Sequence, residues 1–440
     1  MLSDPIAALA TPPGRSAIAV VRVSGRGAFE VVARVVSGFR SDRPRIATLA
    51  VFHRDGETLD RGLYTVFPGP HSYTGEDVVE LSCHGGQVAP TELLAALHAA
   101  GARQATPGEF TRRAVLNGKL DLVQAEAVGD LIDAVAPAQA RTALRQLDGG
   151  LSRRLGELRE GLVGVQALLS YEIDFPGEDD GPIPPERITA ALGEVTARIE
   201  RLLATAPSAD RMRQGALLVL AGRPNAGKSS LFNALLGADR ALVTELPGTT
   251  RDAIEGHTDF LGWPVRLVDT AGLSDSDDRL ERLGIEVSRR YLALADLVLL
   301  CVEGGRAIDA VETALAAERP TLVVRTKRDL TRDGTGGLAV SAVSGEGMDE
   351  LRRAAADRVF GDRIALGDLE PALAGERHRT ALTRARAALA DAALHLVPGG
   401  EPVLVSHHVR EATLALDELL GAVDVEEVLG RVFAGFCVGK

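Results

Sequence analysis

The chain has 440 residues, 45% of them hydrophobic, and a formal net charge of −12. At about 100–200 residues per domain this is two to four domains, and the acidic balance argues against strong non-specific nucleic-acid binding. Its three cysteines, Cys83, Cys301 and Cys437, are widely spaced and form no CxxC, which excludes a disulfide scaffold or zinc ribbon and fits a reducing cytoplasm. The first residues lack a basic stretch followed by an apolar run, so no secretory leader is expected. No segment reaches the roughly 18 uninterrupted apolar residues of a membrane span. Cys437 to Lys440 fails as a prenylation signal, because Gly439 is not aliphatic and Lys is not a usual last residue.

In chain order, residues 1–118 mix strand and helix signals. Residues 17–23 and 78–81 read as short β-branched strands, and 91–100 as a helix ended by Gly101. From Lys119 helical spacing takes over, first in Val123, Ala127, Val128, Leu131 and Ile132, then in Leu151, Leu155, Leu158, Leu162, Val165 and Leu169. These stripes read as packing between helices. An acidic run at 178–180 and a Gly/Pro stretch at 181–185 interrupt the pattern, and a further helix is expected over 188–204. Residues 217–220, 267–268, 297–302 and 322–324 read as buried strands alternating with helices, the pattern of a parallel α/β sheet reaching to about Val359. Residues 361–375 read as a linker, after which Val409, Ala412, Leu416, Leu419 and Val423 restore helical spacing. Helical segments thus flank the α/β region on both sides, which implies an insertion. The expected fold is multidomain α/β + α: an N-terminal α/β domain (1–118), a helical domain in two parts (119–210 and 363–440), and an inserted Ras-like P-loop domain (211–362).

The chemistry sits in that insertion. GRPNAGKS (222–229) follows an expected strand and precedes an expected helix at 230–236, the context a phosphate-binding loop requires. Its glycines let backbone N–H groups approach phosphates, Lys228 reaches the β/γ oxygens, and the Ser229 hydroxyl suits Mg²⁺. Asn225, Ala226, Gly227 and Ser230 complete the loop. In GTTRD (248–252), Thr250 binds Mg²⁺ when a γ-phosphate is present. In DTAG (269–272), Asp269 faces the ion through water, Thr270 and Ala271 form the turn, and the Gly272 N–H senses the γ-phosphate. In TKRD (326–329), Lys327 flanks Asp329, whose acceptor-only carboxylate matches the N1–H and N2–H₂ donors of guanine and opposes the N1 acceptor of adenine. This motif usually reads NKxD, and Thr326 in place of Asn is expected to weaken the brace on the phosphate loop. Ser341 and Ala342 form a fifth motif, with the Ala342 N–H aimed at guanine O6. The expected nucleotide is GTP. Many small GTPases place a water-orienting Gln after the DTAG glycine. Here the residue is Leu273, so another group must act, and Asp275, Asp277, Asp278 and Glu281 are the candidate acids.

Outside these motifs the chain carries ATPPGR (10–15), AIAVVRVSG (17–25), SYTGEDVVEL (72–81), HGG (84–86), PGEFTRRAVLNGKLDLVQAEAV (107–128), IDFPGEDD (173–180) and a terminal FCVGK (436–440). In this order, over essentially the full length, the chain resembles the MnmE, or TrmE, family of tRNA modification GTPases. Departures from the family pattern are Thr326, Cys83 before HGG, and Gly177 where an acid is usual.

The resemblance implies an N-terminal folate-binding domain that forms a constitutive homodimer, a split helical domain and an inserted G domain. It implies a heterotetramer with an MnmG-type flavoprotein in the cytoplasm. That complex, which supplies most of the grip on tRNA, adds an aminomethyl or carboxymethylaminomethyl-type group to C5 of the wobble uridine. The one-carbon unit comes from a tetrahydrofolate derivative of the 5,10-methylene or 5-formyl type. No GxGxxG occurs in this chain, so flavin and nicotinamide chemistry falls to the partner. K⁺ takes the place of an arginine finger, with Asn225, Thr244, Leu246 and Thr249 at the matching positions; Thr244 and Thr249 also join the GTP contacts. Glu281, before Arg282-Leu283-Gly284, matches the catalytic acid and would orient the attacking water. Folate contacts map to Arg22, Glu80, Lys119 and Lys440, where cations suit a glutamylated ligand and a carboxylate suits the donor edge of a pterin. Read alone, Arg22 and Glu80 are polar strand residues. Cys437 matches a near-terminal cysteine; read alone it is a small buried hydrophobe, the sharper alternative being a redox or covalent role. Two other classes share the nucleotide motifs: an RNA-binding ribosome-assembly GTPase, and a membrane transporter with a cytosolic GTPase, for which the sequence offers no span.

Overall fold

Strand and helix periods divide the chain as the two physical patterns require. The computed structural model describes every residue except 1–3, 175–183, 238–241, 244–253, 270–289, 332–335, 367–372, 374, 398–399, 422–431, 433–435, 437–438 and 440. Two compact units result, one of residues 1–129 with 416–440, the other of residues 130–415.

In the first unit β1 (Ile6–Leu9), β2 (Gly14–Ser24), β3 (Thr48–Arg54), β4 (Glu57–Phe67), β5 (Val78–Gly86) and β6 (Arg103–Gln104) form one sheet in the order β3-β4-β5-β2-β1-β6. All neighbours are antiparallel except β1 and β6. The strands alternate: Ala19, Val21 and Val23 are buried, while Val20 and Arg22 between them are half-buried. Helices α1 (Ala28–Ala33) and α2 (Val88–Ala99) supply Val31, Leu93 and Leu97 to the core that these strand residues share with Phe52 and Leu81. The β3–β4 hairpin turns at Asp55 (φ 51°) and Gly56 (φ 85°), the consecutive left-handed pair that a tight hairpin favours. Helices α3 (Glu109–Leu116) and α4 (Leu122–Ile132) follow.

The second unit begins with α5 (Pro137–Leu147), α6 (Gly150–Asp174), α7 (Pro185–Ala204) and α8 (Ala206–Gln214). The leucine stripe of α6, from Leu151 to Leu169, is buried as its spacing implies. The chain then builds β7 (Ala216–Ala221), α9 (Lys228–Leu236), β8 (Leu242–Val243), β9 (Ile254–Phe260), β10 (Trp263–Asp269), β11 (Leu297–Glu303), α10 (Ala310–Glu318), β12 (Thr321–Thr326), β13 (Leu338–Ala339) and α11 (Met348–Leu366). The sheet order is β13-β12-β11-β7-β10-β9-β8, parallel from β13 to β10 and antiparallel through β9 and β8. Every residue of the central β7 is buried. Last come α12 (Glu376–His395) and α13 (Pro402–Leu420). Helix α12 packs on α7, and Arg379 Nη1 donates to Asp210 Oδ2 at 2.9 Å. The chain therefore returns to the helices it left before β7, and the α/β sheet is an insertion in them. The expected linker at 361–375 starts too early. Helix α11 continues through Leu366, because buried Leu351, Ala355 and Phe360 hold it on the sheet and one glycine costs a helix only about 1 kcal/mol.

Candidate functional site

Strand β7 ends at Ala221 and the chain turns at once. At Gly222 (φ 141°) a Cβ would lie 2.3 Å from the Cys301 carbonyl oxygen, so only glycine fits beside β11. Asn225 (φ 63°) and Gly227 (φ 81°) are both left-handed, and Gly227 caps α9. This curls the backbone into a concave run of N–H groups at a helix N-terminus, a site made for phosphate. The buried Lys228 lies across the loop, its Nζ donating to the carbonyls of Gly222 and Arg223 at 2.9 Å each. Ser229, Ser230 and Asn225 are exposed in the same turn, so a hydroxyl and an amide oxygen are available to cations there. Asp269, at the end of β10 next to β7, is buried.

The base-reading end comes from the next parallel strands. Thr326 closes β12 and is buried; its Oγ1 donates to the Ala226 carbonyl at 2.7 Å. The shorter hydroxyl that stands in place of Asn thus still bonds the phosphate loop. Asp329 is exposed, but its Oδ1 accepts from the fully buried Ser341 hydroxyl at 2.7 Å. The same hydroxyl oxygen accepts from the N–H groups of Val343 and Ser344, so it fixes the carboxylate and the Ala342 turn together. Lys327 (φ 59°) bonds Glu303 at 3.0 Å. Sequence reasoning overlooked Arg223, whose guanidinium pairs with Asp309, the N-cap of α10. Thr244, Leu246, Thr249, Thr250, Thr270, Ala271, Gly272, Leu273 and the four acids, Glu281 included, lie outside the described residues, as do Cys437 and Lys440.

The first unit carries a second polar constellation. Arg22 and Glu80 are direct partners across β2 and β5. Both bonds from Arg22, Nη2 at 2.8 Å and Nε at 3.1 Å, fall on Glu80 Oε1. The Arg22 guanidinium also stands 5.3 Å from the Tyr73 ring centre and 5.6 Å from that of Phe110, and contacts the Gly439 carbonyl at 3.5 Å. A Cβ on Gly439 would lie 2.2 Å from the Leu9 carbonyl oxygen, so glycine is what lets the C-terminal tail lie against β1. Lys119 Nζ donates to the Pro70 carbonyl at 3.1 Å, on the loop that also carries Tyr73. Arg22, Glu80 and the residue before Lys440 are therefore brought together. Tyr73, Phe110 and Gly439 were missed as site residues, although all three stand in the quoted SYTGEDVVEL, PGEFTRR and FCVGK stretches.

Beneath this face lies buried charge. Arg113, 1% exposed, reaches Glu76 at 3.1 Å, Glu109 at 3.0 Å and Asp4 at 3.4 Å. Burial alone would raise the Glu109 carboxyl, but hydrogen bonds from Arg103, the Thr106 backbone and Arg113 outweigh it and hold it at about 2. The two described cysteines are free, and burial pushes their thiols up, Cys83 to about 11 and Cys301 to about 12. Neither is a thiolate near neutral pH.

The chain is similar to known proteins along its whole length. A family profile described as GTP-binding protein TrmE N-terminus matches residues 5–119, and one described as MnmE helical domain matches residues 122–437. A tRNA modification GTPase MnmE of Moorella thermoacetica is 42% identical over the whole of both chains. That of Azoarcus sp. (strain BH72) is 44% identical over 99% of this chain and 98% of its own. That of Aquifex aeolicus is 40% identical over the whole of both. Among solved structures, the G domain of the T. maritima FeoB iron transporter matches 32% of this chain and 98% of its own at 27% identity and a TM-score of 0.26. Among the described residues, no helix is long and apolar enough to cross a membrane.

Proposed function

Because this chain belongs to the MnmE family of tRNA modification GTPases, we propose that its GTP hydrolysis is potassium-activated and serves modification of tRNA. With an MnmG-type flavoprotein, it adds an aminomethyl or carboxymethylaminomethyl-type group to C5 of the wobble uridine, using a tetrahydrofolate one-carbon unit. The observation that carries the nucleotide half is the gathering of three hydrogen bonds, Lys228 to Gly222, Thr326 to Ala226 and Ser341 to Asp329, at one end of the seven-stranded sheet. It puts a phosphate cradle and a fixed acceptor carboxylate in one structure, which suits GTP and opposes ATP.

Ser229 and Thr250 would hold Mg²⁺, and Asn225, Thr244, Leu246 and Thr249 would hold K⁺; the two ions would supply positive charge beside the phosphates. The exposed Asn225 and Ser229 side chains fit that assignment. Glu281 would orient the water. In the first unit, Arg22, Glu80, Lys119 and Lys440 would hold the folate. The fit rests on Glu80: with both Arg22 bonds on Oε1, Oε2 would accept from the donor edge of a pterin, and Tyr73 would offer an aromatic wall. Homodimerisation through residues 1–118 is supported by exposed Leu49 and Leu63, cross-strand partners at 76% and 42% exposure, an apolar patch that invites cover. Residues 211–362, with the rest of α11 to Leu366, act as the G domain, and 119–210 with the chain that follows α11 as the helical domain. The cytoplasm is the site of action.

The test is GTP turnover in K⁺ against Na⁺, with the flavoprotein partner and tRNA present, beside mass analysis of wobble uridines from a deletion strain. Turnover should be much faster in K⁺, and Glu281→Ala should bind GTP without hydrolysing it. Equal rates in both salts would remove the Asn225 assignment, and wobble uridines in the deletion strain identical to those of wild type would remove the tRNA reading.

A further inference from the structure

Helix α13 carries a group of side chains that neither nucleotide nor folate chemistry uses. Its sequence includes His407, His408 and Glu411. Glu411 lies four residues from His407 and three from His408, the two spacings that make helix-surface neighbours. His408 Nδ1 lies 3.1 Å from Glu411 Oε2, and His407 Nε2 lies 3.8 Å from Glu411 Oε1. One donor atom from each of the three residues falls within 4.8 Å of the others.

We propose that His407, His408 and Glu411 form a binding site for a divalent transition-metal ion, with Zn²⁺ as its defining ligand. Zn–N and Zn–O bonds of about 2.0–2.2 Å in a tetrahedron set ligand atoms roughly 3.3–3.6 Å apart. The two imidazole–carboxylate distances lie on either side of that edge, each to its own oxygen of Glu411, and with the three donor atoms within 4.8 Å of one another side-chain rotation would bring the triad onto an ion. Two imidazoles and one carboxylate select a borderline ion such as Zn²⁺ over Mg²⁺ or Ca²⁺, which prefer all-oxygen shells. Three protein ligands leave a fourth position for water.

The site is also supported from outside its own helix. His395, at the end of α12, stacks on His408 with ring centres 5.7 Å apart and planes 9° from parallel. Gly400 comes close to the end of α12: a Cβ on it would lie 2.1 Å from the His395 carbonyl oxygen. His408 is consequently only 20% exposed, against 63% for His407. Stacking holds the His408 ring in place with Nδ1 on the Glu411 side, so His395 is a positioning residue. Among the described residues Glu411 has no Arg or Lys within ion-pair reach, and its carboxylate is shared by the two imidazoles alone.

The experiment is calorimetric titration of the chelator-treated full chain with ZnCl₂, repeated with CoCl₂ to read visible absorption. One equivalent of Zn²⁺ should bind, and Co²⁺ should give bands of nitrogen and oxygen ligation without a thiolate charge-transfer band. His408→Ala and Glu411→Gln should abolish this equivalent, and His395→Ala should weaken it by roughly tenfold, as loss of an orienting neighbour does. GTP turnover and helical circular dichroism should be unchanged in all three; should His408→Ala misfold, His407→Ala, at a more exposed position, carries the same prediction. Absence of saturable Zn²⁺ binding overturns the proposal, and so does undiminished binding in the folded Glu411→Gln variant.

Discussion

The two sheets put their chemistry in opposite places. In the seven-stranded sheet, β7 is buried on both faces and β11 in all but its last residue. Polar groups have no room within such strands, so they gather where strands stop: Asp269 as the last residue of β10, Thr326 as the last of β12, and the phosphate loop after β7. In the antiparallel sheet β2 alternates buried and less buried positions over residues 19–23, and Arg22 with its β5 partner Glu80 sits mid-strand on the less buried face. A parallel sheet thus offers its ends to ligands and an antiparallel sheet offers a face. The means of holding the site differ as well. The strand-end site is fixed by backbone curvature and hydrogen bonds to carbonyls. The face site lies under a loop, residues 68–77, tied down by charge, with Glu76 bonded to buried Arg113 and Ser24.

The largest test of that contrast is Arg113→Ala. Removing one partner of a buried ion pair typically costs about 3–5 kcal/mol when the other charge is left unpaired, and since Glu109 and Asp4 keep Arg103 the loss here is expected at about 2–3 kcal/mol. Glu76, Glu109 and Asp4 would all lose a donor. The single tryptophan, Trp263, belongs to the other sheet and stacks on Phe360 at 4.9 Å, so its fluorescence follows that sheet. In urea, the variant should lose far-UV signal early while the Trp263 transition keeps its midpoint. Unshifted unfolding by both probes would show that charge does not hold the first unit.

A milder perturbation sharpens the same point with acid. The Glu109 carboxyl sits at about 2 when folded, against an ordinary 4.5. A depressed carboxylate stabilises the fold fully above its unfolded value, and the contribution fades as pH falls from 4.5 towards 2. Asp4 is lowered too, chiefly by its hydrogen bond from Arg103, and acts in the same direction. Acid titration followed by circular dichroism should show the first unit losing stability across that window. Glu109→Gln should flatten the dependence there at a lower overall stability, and an unchanged pH profile in the variant would remove Glu109 as its source.

The strand-end site was far easier to read from sequence than the face site, for the same physical reason. A phosphate loop is local: Gly222, Gly227, Lys228 and Ser229 stand on one turn, so their spacing is fixed along the chain. The buried strands that carry it, 217–220 and 297–302, are continuous apolar runs and were placed within a residue or two of their observed ends. The face site joins β2, β5, the loop at Tyr73, Phe110 and the tail at Gly439, which are distant in sequence and meet only after folding. Only the resemblance pointed to Arg22 and Glu80. Strands β3 and β4 were overlooked although Asp55-Gly56 is a strong hairpin signal, because their flanks carry charged residues among the apolar ones. The helix through Gly361 was cut short by giving one glycine more weight than the buried stripe around it.

The smallest expected effect examines the strand-end site at the residue that departs from the usual motif. Thr326 stands where the motif usually has Asn, yet its hydroxyl donates to Ala226 inside the phosphate loop at 2.7 Å. If that bond is the brace, shape alone will not replace it. Thr326→Val keeps the volume and removes the donor, leaving a buried carbonyl with one fewer partner, a loss of about 1 kcal/mol or roughly fivefold in guanine-nucleotide affinity. Thr326→Asn restores a donor on a longer side chain and should bind as tightly as the parent, or more so. The ratio of affinities, measured by displacement of a fluorescent GDP analogue, decides the matter. Equal affinity for the parent and Thr326→Val would mean that curvature at Gly222, Asn225 and Gly227 holds the loop by itself, and the strand-end site would then need no side-chain brace at all.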